Sequence, residues 1–306
     1  MKLSKYEDYA RLNFHYMART DAVGLVDDNE DEALLSEAYG KLIETYQAKS
    51  NVARVKAVGI GEVSNGSMVF SRFQNSSVED YGTARGATKG DAVIDDQVTV
   101  NLSNHKEIVE ELEEFDIKAH GVGNLIQRRS LNHALRMQAH LDRAALAALK
   151  TACAAYSAGA NATDATVTSA DYLAALEAKV VMLETTSNDY VDGIPREMIV
   201  AFVSPSKFSL IKSQLDTVYA YNGNSELIEV PGYHGFQIVS EHYLPTGTDF
   251  IITVVGNIAQ PIHSLGYTQG GRIPLTKSYE VSLFFDYGVG VLAADLIYEG
   301  EFDVSE

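Results

Sequence analysis

NLIQRRSLNHALRMQAHLDRAALAALKTACAAYS, residues 124–157, contains neither glycine nor proline. It is rich in Ala, Leu, Gln and Arg, which lose little freedom on entering a helix. At 1.5 Å per residue, a helix through the whole stretch would be about 50 Å long. Leu131, Leu135, Leu141, Ala145 and Leu149 mark a broad apolar stripe along it. His133, His140 and Asp142 fall on the same stripe at i, i+7 and i+9. A helical metal pair wants i, i+4 spacing, so these three read as packed, hydrogen-bonded side chains and not as ligands. Cys153, set among alanines, reads as a small buried hydrophobe.

On the N-terminal side of this helix, SMVFSRFQ (67–74) and QVTVNL (97–102) read as strands, with Val98, Val100 and Leu102 alternating with polar residues. Between them lies NSSVEDYGTARGATKGDAVIDD, 75–96, far longer than an ordinary hairpin loop. Two strands with such a tip form a long arm with nothing of its own to pack against, so either the tip is disordered or another chain supplies its partner surface. GTARGATKGD within the tip fails as a phosphate loop: Lys89 precedes its glycine, and no Ser or Thr follows it.

On the C-terminal side the pattern becomes α/β. SAGANATDATVT (157–168) is turn-rich, and Ser169 opens a helix with Leu173, Leu176, Val180 and Leu183 facing inward. EMIVAFVS (197–204) is a buried strand. Ser204 and Pro205 then read as the N-cap and first-turn proline of a helix carrying Phe208, Ile211 and Leu215. Residues 218–235 read as a loop, FQIVS (236–240) and DFIITVVG (249–256) as strands, and the chain closes with expected strands at 278–285 and 287–298.

Composition narrows the function classes. In 306 residues, 46% are apolar and 22% charged, the balance of a globular chain with a sizeable core. One cysteine excludes a disulfide framework and a cysteine-rich zinc site. Twenty-four basic residues against 42 acidic ones leave a net charge of −18, the opposite of the basic face that grips phosphates. MKLSKYEDYARLNFHYMART has no apolar signal core, and no run reaches membrane-spanning length, so a soluble, cytoplasmic protein is expected. DDNEDE (27–32) lacks the glycine and closing glutamate of a calcium loop, and Leu35, Tyr39, Leu42 and Tyr46 mark an amphipathic helix over 31–48. No serine-hydrolase elbow, zinc-protease helix or dinucleotide fingerprint occurs. No catalytic, cofactor-binding or metal-binding residue is therefore assigned.

The order of elements resembles the major capsid proteins of tailed bacteriophages, which have the Hong Kong 97-like fold. Four stretches carry the resemblance. VTVNLSNHKEIVEELEEFD (98–116) is similar to the return strand of that family's extended loop and its lead into the long helix. HLDRAALAAL (140–149) is similar to a segment of the spine helix. IVAFVSPSKFSLIKS (199–213) is similar to the strand-Ser-Pro-helix step of the axial domain. SYEVSLFFDYGVGVLAADLIYEG (278–300) is similar to the closing strands, with Tyr287-Gly288-Val289-Gly290-Val291-Leu292 as their signature.

The resemblance implies an α+β fold: an N-terminal arm over 1–58, an extended loop over 59–103, a peripheral domain over 104–165 and 262–306, and an axial domain over 166–261. It implies a structural protein without cofactors that assembles into hexamers and pentamers of an icosahedral head in the host cytoplasm. The shell would enclose double-stranded DNA without reading its sequence. Some members carry an N-terminal scaffolding extension; none is seen here, which implies a separate scaffolding protein or a matured form, beside a portal. The apolar run 284–297 would lie buried in the peripheral sheet, with Gly288 and Gly290 permitting close backbone approach. An encapsulin-type compartment resembles the same fold, and a soluble α/β enzyme acting through His234 and His242 is a third reading.

Overall fold

The structure, a computed structural model, describes residues 50–64, 66–76, 93–113, 122–156, 163–165, 169–221, 227–272 and 278–303. The expected helix at 31–48, the acidic run at 27–32 and the hairpin tip at 77–92 lie outside them. The chain divides into two units: residues 1–49, 105–138 and 263–286 form one, and 50–104, 139–262 and 287–306 the other.

Fifteen strands are described. The first four are β1 (Ile60–Ser64), β2 (Ser67–Phe73), β3 (Asp95–Asn101) and β4 (Asn104–Glu113). After the long helix α1 (Val122–Tyr156) come β5 (Thr163–Ala165), helix α2 (Ser169–Glu184), β6 (Ile199–Val203) and helix α3 (Pro205–Ile211). There follow β7 (Asp216–Tyr221), β8 (Leu227–Tyr233), β9 (Phe236–Ser240), β10 (Phe250–Val254) and β11 (Ile258–Ala259). The last are β12 (Ile262–Arg272), β13 (Ser278–Tyr287), β14 (Gly290–Val291) and β15 (Tyr298–Asp303). No described helix is long and apolar enough to cross a membrane.

The larger unit is built on a seven-stranded mixed sheet in the order β5-β15-β10-β6-β9-β8-β7. Its central strands β6 and β10 are buried at every position, because a helical layer covers each face. On one side, Leu173, Leu176, Val180 and Leu183 of α2 pack over Ile199, Ala201, Val203, Phe250 and Ile252. On the other, Ala145, Leu146, Leu149 and Cys153 of α1, with Val52 and Val55, cover Val200, Phe202 and Ile251. Odd residues of β6 thus serve one helix and even residues the other, as the two-residue period of a strand requires.

The smaller unit sets the three-stranded sheet β12-β13-β4 with the first half of α1. Val281, Leu283 and Phe285 of β13 are buried, as are Ala134 and Met137 of α1. Glu110 of β4 accepts a forked pair of hydrogen bonds from Arg129 and lies 3.0 Å from the buried His133 ring. That guanidinium, before any other cause, holds the Glu110 carboxyl below the usual carboxylate range.

Four expectations are corrected. Residues 104–113, read as a lead into the long helix, are strand β4: from Ile108 on their half-buried and exposed positions alternate, and α1 begins only at Val122. Residues 218–235, read as a loop, are largely the β7-β8 hairpin, paired from Asp216–Gly232 to Tyr221–Leu227. The single strand expected at 287–298 breaks into β14, a 3₁₀ turn at Ala294–Leu296 and β15. Its last part leaves the β13 sheet and pairs with β10 instead, Ile252 opposite Tyr298. Leu135, placed on the apolar stripe of α1, is 40% exposed, whereas Leu141, Ala145 and Leu149 are fully buried.

Candidate functional site

The hairpin β2-β3 combines a buried end with an exposed one. Seven residue pairs hold its register, from Ser67–Asn101 out to Phe73–Asp95, and the Gln74 amide continues the ladder to the Ile94 carbonyl at 3.1 Å. Its base is apolar: Phe70, Val100 and Ala259 form a buried cluster, flanked by Ala57, Met68, Val98 and Leu292. Further out this changes. Phe73 is 59% exposed, Ile94 46% and Val93 86%. The strand pair thus carries exposed large apolar side chains where its described residues end.

Gly288 and Gly290 set how closely the base can close. A Cβ on Gly288 would meet the Asn101 carbonyl and stand 2.8 Å from a Val100 methyl. A Cβ on Gly290 would stand 2.8 Å from the other Val100 methyl. The close approach expected of these glycines is present, and its partner is the return strand of the hairpin. Tyr287 beside them accepts or donates a 2.8 Å hydrogen bond with His140 of α1, and their rings meet edge to face.

The outer end of the strand pair is also gripped from outside the cluster, contrary to the expectation that it has nothing of its own to pack on. The Arg72 guanidinium lies 3.9 Å above the Tyr190 ring and makes a 3.9 Å charge contact with Asp295. The Tyr190 hydroxyl donates to Asp96 and receives the Gln74 side-chain amide. The Asn75 backbone amide donates to the Asp189 carbonyl at 2.8 Å. Asn188 closes the turn that presents these groups: its side-chain oxygen accepts from the Tyr190 and Val191 amides, and its side-chain amide donates to Asp295. Sequence reasoning missed this turn, although Asn188-Asp189-Tyr190 carries an Asx-turn signal.

The other sequence-flagged residues have structural partners. Asp142, fully buried, accepts from the Ser50 hydroxyl at 2.7 Å. Cys153 is buried, its thiol toward the Ile297 carbonyl. Ser204 occupies the N-cap position of α3, but its hydroxyl makes no cap bond and donates to Asp249. His234 takes a left-handed conformation (φ 47°) in the turn after β8 and stacks on Tyr233, while His242 lies exposed beyond the far end of β9. Arg196 and Glu184 pair in two hydrogen bonds beside His234. Among the described residues, no group of three His, Cys, Asp or Glu side chains is placed to hold a metal ion.

A family model described as phage capsid protein matches residues 107–298, well over half the chain. The chain belongs to the phage capsid protein family. This capsid protein has the same fold as solved shells. The capsid of cyanophage P-SCSP1u matches at 13% identity over 82% of this chain and 86% of that one, with a TM-score of 0.53. The capsid of an empty GTA particle matches at 12% identity over 83% and 90%, with a TM-score of 0.54. A virus-like particle from Pyrococcus furiosus matches at 8% identity over 87% and 98%, with a TM-score of 0.51. No curated protein matches the sequence. The fold is the α+β fold of phage capsids, and the chain is a structural shell protein of the virion.

Proposed function

We propose that this chain is the subunit of an icosahedral phage head, tiling hexamers and pentamers around packaged double-stranded DNA. The observation that carries the reading is the β2-β3 hairpin, whose apolar mouth at Phe73, Val93 and Ile94 lies beyond its own buried cluster. In a capsid protein, a neighbouring copy is the natural cover for that surface. Residues 59–103 would act as the extended loop and 1–58 as the N-terminal arm, whose residues 1–50 would reach another copy. Residues 104–165 and 262–306 would form the peripheral domain, and 166–261 the axial one. Each contact can be weak, since a closed lattice multiplies them.

The charge of −18 suits a wall that encloses DNA without adhering to it. Assembly in the host cytoplasm with a separate scaffolding protein and a portal completes the proposal. Negative-stain electron microscopy of the purified chain tests it: closed shells are expected, and a solitary compact particle at all concentrations would refute it. The likeness to the Pyrococcus furiosus virus-like particle favours a second reading, an encapsulin-type compartment. A protein cargo co-purifying with DNA-free shells would select that reading.

A further inference from the structure

The grip on the outer end of the strand pair differs in kind from the cluster at its base. Phe70 and Val100 are buried apolar residues, whereas Arg72, Gln74, Asn75 and Asp96 are tied by polar and stacking contacts to the turn at 188–190 and to Asp295. All the groups involved belong to one chain and one unit. One ring, that of Tyr190, carries the Arg72 stack and both hydroxyl links. The ladder from Ser67–Asn101 to Phe73–Asp95 does not depend on it.

We propose that the turn Asn188–Val191 is a latch that sets the exit angle of the hairpin arm in the single subunit, before any neighbour is present. A latched arm has already lost the freedom it must give up on docking, so subunits join at one angle. An unlatched arm keeps its strands but swings about its apolar base. The consequence for shell geometry rests on the function proposed above; the latch itself does not.

Hydrogen exchange on unassembled subunits reads the latch directly. Tyr190→Ala should speed exchange in peptides covering 71–76 by about tenfold, while peptides covering 66–70 keep their protection. Tyr190→Phe, which keeps the ring under Arg72 and loses the hydroxyl links, should give a smaller increase in the same peptides. Unchanged exchange over 71–76 in both variants would overturn the latch. So would loss of protection throughout 66–76 in both, since the turn would then be part of the hairpin core. In assembly, Tyr190→Ala should broaden the distribution of shell diameters relative to wild type. Wild-type diameters and yield together with faster exchange would show that the latch does not govern assembly. Failure of the wild-type chain itself to form shells would remove the function reading and leave the exchange result to decide the latch.

Discussion

The centre of the seven-stranded sheet and the outer hairpin are both antiparallel strand pairs of five to seven residues, yet they are held in opposite ways. β6 and β10 have no exposed residue, and helices cover both their faces. β2 and β3 have a buried end at Phe70 and Val100 and an open end at Phe73 and Ile94. Stability resides in the first pair and availability in the second. A strand covered on both sides has no surface left to offer another molecule; one with exposed apolar side chains at its outer end does.

Changes at the sheet centre should therefore cost most. Phe202→Ala empties a fully buried site between β6 and α1, and a loss of about 3–5 kcal/mol is expected in urea denaturation. A loss below about 1 kcal/mol would mean that the helical layer relaxes freely, and the contrast would fail. Gly288→Ala comes next, because the new methyl group meets the Asn101 backbone carbonyl, which cannot rotate aside. A loss of about 1–3 kcal/mol is expected, and unchanged stability would show that the hairpin base is loosely seated.

Glu110→Gln should be milder, about 1 kcal/mol, since Arg129 is half exposed. Its signature is pH. The Glu110 carboxyl is lowered in the folded protein, so its contribution is complete above the unfolded carboxylate value of about 4.3 and fades as pH falls through the lower folded value. Wild type and variant should converge in stability at the acid end; a gap that persists there would deny the ion pair. Deleting residues 78–92 should change subunit stability least, because loop length enters only logarithmically. The same deletion should abolish closed shells in electron micrographs, and efficient closure would place the hairpin outside the assembly surface.

Several features were legible in sequence because they depend on near neighbours. The glycine-free run around α1 announced a long helix, and the spacing of Leu173, Leu176, Val180 and Leu183 announced the inward face of α2. The alternation of Val98, Val100 and Leu102 announced the return strand. Other features misled for the same reason. Asn222, Gly223 and Asn224 looked like a loop and hid the flanking strands β7 and β8. Leu135 obeyed the helical period but is exposed, because periodicity names a face and not what covers it.

Local preference and apolar spacing thus determined the long helix, the inward face of α2 and several strands, that a large core exists, and that the net charge of −18 suits no phosphate grip. Only the tertiary structure decided that Tyr298–Gly300 pair with β10 and Glu301–Asp303 with β5, and that Gly288 closes on Asn101. It also decided that a turn at 188–191 grips a hairpin more than ninety residues upstream. The physical reason is that strand pairing and side-chain contact join residues remote along the chain. A sequence states what each residue would bury or donate, and the fold alone selects which distant partner receives it.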